Sequence, residues 1–164
     1  MKKLVLFILI SLPLTGFTQT PQLDNFFEKY SGREGYTTIV FTSEMFELFA
    51  SMDNGSGNGL TGINYMKMIT VDTDTENTAG FTKELQTLLP KNKYKELMVI
   101  TEADNTIKFL MRQEGDRIKE FIMTIEGADP LLLYLEGDMD FNQLSEISET
   151  MDIEGLDNIE KIQE

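Results

Sequence analysis

The chain has 164 residues, with 14 Lys and Arg against 28 Asp and Glu, a formal net charge of −14, and no His, Cys or Trp. That length suits one domain with its own core, and 41% hydrophobic residues separate it from a disordered acidic chain. Without His or Cys the chain cannot form a Ser-His-Asp or Cys-His triad, a His or thiolate zinc site, His-ligated haem or a disulfide, which leaves carboxylate, Lys, Tyr, Ser and Thr chemistry.

Met1-Lys2-Lys3 followed by the apolar run Leu4–Leu12, then Pro13, Thr15 and Gly16, has the basic start, apolar middle and small-residue end of a secretory signal peptide. Gly16 and Thr18 suit the positions three and one before cleavage, so residues 1–18 read as the signal and Gln19 as the first mature residue. The run is shorter than the ~20 apolar residues of a membrane span. No Cys follows it, so the expectation is an exported chain, periplasmic or secreted, with no stable membrane anchor after signal removal. Signal removal takes two lysines and no acid, leaving 12 bases against 28 acids.

Leu23, Phe26, Phe27 and Tyr30 recur at one-face helical spacing, with Pro21 suited to the first turn and Gly32 to the stop. Tyr36–Thr42 is rich in β-branched residues and reads as a strand. Ser43 offers an N-cap, with Glu44 in the first turn, for a helix bearing Met45, Phe46, Leu48, Phe49 and Met52. A Gly-rich loop then leads to a strand over Ile63–Val71. Phe81, Leu85, Leu88 and Leu89 mark a third helix, stopped by Pro90.

Four strand-like runs follow, Glu96–Thr101, Thr106–Arg112, Arg117–Ile125 and Leu131–Glu136, joined by short polar links typical of antiparallel hairpins. Ile107, Phe109 and Met111 share one face and Lys108 and Arg112 the other, the pattern of a half-buried sheet. A last helix starts near Asp140 with Phe141, Leu144 and Ile147 inward; Asp140 and Gln143 have capping-box spacing. The expected fold is α+β, with helices packed on one face of a mostly antiparallel sheet in the order α-β-α-β-α-β-β-β-β-α. The domain spans residues 19–151, and 152–164 form an acidic C-terminal tail. Residues 136–164 hold ten acids and one base. Ile153, Leu156, Ile159 and Ile162 recur every three residues, too tightly for a steady helical stripe. A frayed tail or a short appended helix is preferred there over a segment that folds onto a partner.

Candidate sites are few. Asp138, Asp140 and Asn142, with Glu149 at the twelfth position, open like a calcium loop, but Gln143 replaces the turn Gly and Ser145 the packing hydrophobe. Helix capping accounts for Asp140 and Gln143 without a metal. Asp72, Asp74 and Glu76 form a second acidic ladder whose twelfth position is the cation Lys83. Gly55, Gly57 and Gly59 lack the Gly-Lys-Ser/Thr ending of a phosphate loop and read as a connection. Lys91, Lys93 and Lys95 form the one basic cluster, read as a solvated loop before a strand, so nucleic acid is not an expected partner. Met66, Met68, Met98, Met111 and Met123 read as core, with an adaptable apolar binding face as the alternative. No catalytic, cofactor or metal residue is assigned.

Phe26–Tyr30, Tyr36–Phe46, Arg117–Met123 and Leu131–Leu144 together resemble the family called domain of unknown function 4252, small exported bacterial envelope proteins of the Bacteroidota type, over about residues 22–150. The resemblance implies an exported, non-enzymatic domain with no agreed active site or cofactor. The expected role is an interaction module binding an envelope protein or peptide through its sheet or acidic C-terminal region. The alternative is a small-molecule or lipid-binding domain with an apolar pocket between helices and sheet.

Overall fold

A computed structural model describes residues 21–52, 60–72, 78–90 and 92–151. The signal segment 1–18, the Gly55–Gly59 loop, Asp74, Glu76, Lys91 and the tail 152–164 lie outside the described residues. The elements are α1 (Pro21–Tyr30), β1 (Tyr36–Thr42), α2 (Ser43–Met52), β2 (Ile63–Val71), α3 (Thr78–Leu88), β3 (Lys95–Thr101), β4 (Asn105–Glu114), β5 (Arg117–Gly127), β6 (Leu131–Met139) and α4 (Phe141–Met151). The α+β class, the antiparallel sheet and the element order are those read from the sequence. The six strands lie in the order β1-β2-β6-β5-β4-β3, and every neighbouring pair is antiparallel.

The connections explain where the helices go. β3 to β6 form a meander whose last strand lies against β2. The chain leaving β2 must therefore cross the sheet to reach β3 at the far edge, and it carries α3 over β5 on the way. α1 joins α3 on that face, where Leu23, Phe26, Phe27, Tyr30, Phe81 and Leu85 pack on Ile69, Ile122, Leu132 and Tyr134. Phe46 of α2 and Leu144 and Ile147 of α4 lie in a separate cluster with Met66, Phe109, Phe121, Met123, Leu133 and Leu135. Phe121 and Met123 belong to one cluster and Ile122 to the other, so the strand alternation assigns the clusters to opposite faces. The expectation of helices on one face is corrected: α1 and α3 cover one face, α2 and α4 the other.

Two glycines let β2 and β6 meet. The Asp138 amide donates to the Gly62 carbonyl at 2.7 Å, and Gly62 has φ +83. A Cβ on Gly137 would collide with that carbonyl and come within 2.9 Å of Ile63 Cα. Both obstacles are backbone, so Gly137→Ala is expected to cost about 1–3 kcal/mol, read as a lower urea midpoint at unchanged slope. An unchanged midpoint would show that this approach relaxes freely.

Candidate functional site

The α1/α3 face carries a buried ionic layer that the sequence reading assigned to solvent. Lys108 and Arg112 of β4 point under the helices, as do Glu120 and Glu126 of β5. Glu120 is fully buried. It accepts from Arg112 Nε at 2.8 Å, Lys93 Nζ at 3.2 Å and the Tyr94 hydroxyl at 2.5 Å. Glu126 accepts from Lys108 Nζ at 2.6 Å and from Gln86 of α3 at 3.1 Å. Glu136, directly across from Glu120 on β6, accepts from the Tyr65 hydroxyl at 2.8 Å and the Tyr134 hydroxyl at 3.1 Å.

These contacts shift ionisation in predictable directions. Burial, then the negative charge of Glu120, pushes the Tyr134 hydroxyl far up. Burial and the hydrogen bond to Glu136 do the same for Tyr65. Burial works against the charge on Arg112, but its hydrogen bond and attraction to Glu120 prevail and raise its affinity for the proton. At the outer rim Glu84 accepts from Lys29 and, at 2.7 Å, from the Tyr30 hydroxyl. Burial opposes ionisation of Glu84, yet those donors hold its carboxyl below the usual range. Every carboxylate of this layer is engaged by a cation or a tyrosine, and the bonds tie β2, β4, β5, β6 and α3 together.

The calcium-like segment has a different use in the structure. Asp138 lies at the end of β6 and receives Lys119 Nζ at 2.9 Å and Arg117 Nε at 3.1 Å. The Lys119 and Arg117 hydrogen bonds lower its pKa. Asp140 and Gln143 form the expected capping box: the Asp140 amide donates to Gln143 Oε1 at 2.8 Å and the Gln143 amide to Asp140 Oδ1 at 3.0 Å. Among the described residues no cluster of three acids is placed to hold a metal ion. Of the basic cluster, Lys93 is bound to Glu120 and Lys95 begins β3. Met66, Met111 and Met123 are core residues, with Met68 and Met98 half-buried against them.

The outer surface is uneven. Among the described residues the large exposed apolar side chains are Val40 (54%), Met45 (39%), Leu48 (51%), Met52 (70%) and Val99 (42%). Four of these five lie on β1 and on α2, which packs against β1 and β2. At about 100° per residue, Phe46, Phe49 and Ala50 of α2 turn toward the core, and Met45, Leu48 and Met52 form an adjoining outer stripe. Sequence periodicity marked all these apolar positions except Ala50 without separating inward from outward ones. A cleft of about 220 Å³ opens at the other end of the sheet, lined by Thr70, Val71, Asn105, Ile125, Asp129, Pro130 and Leu131. No helix residue and no carboxylate of the buried layer lines it.

No helix among the described residues is long and apolar enough to cross a membrane. No curated protein and no solved structure matched the chain. The sequence model of a domain of unknown function, DUF4252, matches residues 30–147, from the end of α1 into α4 and across the whole sheet. The chain belongs to the DUF4252 family.

Proposed function

We propose that the protein is an exported, non-catalytic interaction domain of the bacterial cell envelope that binds a protein or peptide. Export rests on the signal-like segment 1–18. The observation that carries the binding role is that four of the five large exposed apolar side chains among the described residues lie on β1 and α2, because exposed apolar surface concentrated in one region marks an interaction site. The engaged state of the buried carboxylates supports a non-catalytic reading, since a general acid or base needs a path to substrate.

Envelope extract passed over the immobilised wild-type protein and a Leu48→Lys, Met52→Lys variant tests the reading. A specific partner retained by the wild type and lost by the variant is expected. Recovery of nothing above a blank column would overturn it. A small-molecule or lipid-binding role draws on the cleft beside Ile125, Pro130 and Leu131. Helix and sheet side chains are buried together in two clusters, one on each face, which favours the protein partner. Native mass spectrometry separates the two, because a stoichiometric bound molecule would support the ligand reading.

A further inference from the structure

The two edges of the sheet differ. β3 carries Lys95 and Glu96 and a register shift between Glu96 and Met98, features that blunt an edge against pairing. β1, Tyr-Thr-Thr-Ile-Val-Phe-Thr, has no charge and no Pro and keeps an unbroken register with β2. The Asp72 amide donates to the Gly35 carbonyl at 2.9 Å, and Tyr36 is opposite Val71. In an antiparallel ladder this makes Thr37, Ile39 and Phe41 the residues bonded to β2. The Val71 amide, correspondingly, turns the other way and donates to Pro130. The N–H and C=O groups of Thr38 and Val40 and the N–H of Thr42 therefore face the edge that no strand among the described residues covers, the Thr42 carbonyl being taken by the first turn of α2.

Side chains around this edge favour a particular partner. Val40 is exposed on the α1/α3 face, and α2, which follows β1 directly and packs on it from the other face, leaves Met45, Leu48 and Met52 exposed. An added strand would place one of its side-chain sets on the face where Val40 is exposed and the other on the face that carries α2. Residues 36–52 contain two acids, Glu44 and Glu47, and no base. Thr42, at the end of the edge, hydrogen-bonds the Glu44 carboxylate and holds it below the usual pKa. Lys67, opposite Val40, is neutralised by Asp24 at 2.8 Å. A second copy of this chain would bring the same acids together, on a molecule of net charge −14; a basic segment would not.

We propose that the β1 edge and the outer stripe of α2 dock an extended, basic segment of a partner protein, which joins the sheet as a seventh strand. The inference rests on the interaction-domain reading and names its surface and the chemistry of its partner. The probe is a labelled eight-residue peptide alternating Lys and Val, with a Glu–Val peptide as control, followed by fluorescence anisotropy. Saturable binding of the Lys peptide is expected, weakened by added salt and absent for the Glu peptide. Val40→Pro removes an edge-facing N–H without touching the β1–β2 bonds, and about a tenfold loss of affinity is expected. Should that variant fail to fold, hydrogen exchange on the wild type provides the readout: peptide slows exchange of the Thr38, Val40 and Thr42 amides.

Equal binding of the Glu peptide, unchanged exchange at these amides, or a dimer of the wild type that Val40→Pro dissociates would each overturn the proposal, the last by making a second copy the occupant. Retention of an envelope partner by the wild type and Val40→Pro alike would remove this edge while leaving the interaction domain standing.

Discussion

Glu120→Gln is expected to lower the stability of the folded protein by about 3–5 kcal/mol, the usual cost of removing one member of a buried ion pair. The carboxylate is fully buried and compensates the half-buried cations Arg112 and Lys93 while accepting from Tyr94. Glutamine keeps the shape but not the charge, so Lys93 and Arg112 lose the buried carboxylate they share, and Arg112 keeps only the exposed Glu114. At about 2–4 °C per kcal/mol for a domain of this size, melting falls by roughly 10 °C, measurable by circular dichroism. A Glu120→Leu, Arg112→Met, Lys93→Met triple variant is expected to lose less than the single one, because replacing the buried carboxylate together with both of its cations by apolar groups avoids the orphaned charges. A Glu120→Gln protein melting within a degree of wild type would refute the network's structural role.

Phe81→Ala is expected to cost a further large share, about 3–5 kcal/mol. The Phe81 ring is fully buried and lies 5.1 Å from Phe26, 4.9 Å from Tyr30 and 5.8 Å from Tyr36, centroid to centroid. It links α3, α1 and the start of β1, so its removal opens a cavity where three elements meet. Equilibrium urea unfolding measures the loss. A cost below about 1 kcal/mol would mean that α1 and α3 are only loosely applied to the sheet, the arrangement expected if one face alone formed the core.

Both predictions concern the face that the sequence reading left open to solvent. Lys108 and Arg112 alternate with Ile107, Phe109 and Met111, and Glu120 and Glu126 with Phe121, Met123 and Ile125. Such alternation identifies two faces but not what covers each. Charged residues on one face normally indicate water. Here opposite charges on neighbouring strands neutralise one another, Arg112 beside Glu120 and Lys108 beside Glu126, and that pairing lets α3 lie over them. A hint was available in Leu110, Ile122 and Leu132, apolar residues on the charged face that pack in the α1/α3 cluster.

The capping box at Asp140 and Gln143 was legible because it is local: two residues three apart with matching donors and acceptors. The candidate docking surface was not. Met45, Leu48 and Met52 satisfy helical periodicity as well as Phe46 and Phe49 do, and only packing against β1 and β2 divides them into exposed and covered sets. Nor does a strand's own sequence say whether it ends up at an edge. β1 is terminal because β6 returns to occupy the free side of β2.

The sequence by itself determined the α+β class, the order of ten elements and most of the core, because these follow from short-range periodicity, turn chemistry and caps, while the family was legible as a resemblance carried by Phe26–Tyr30, Tyr36–Phe46, Arg117–Met123 and Leu131–Leu144. Tertiary structure alone decided the division of helices between two faces, the burial of Glu120 within its ring of donors, and the exposure of β1 with the α2 stripe. Each of these depends on which distant segments meet. The negative charge that dominates the composition is likewise sorted by the fold, into acids consumed by buried pairing and acids, such as Glu44 and Glu47, left beside an open edge.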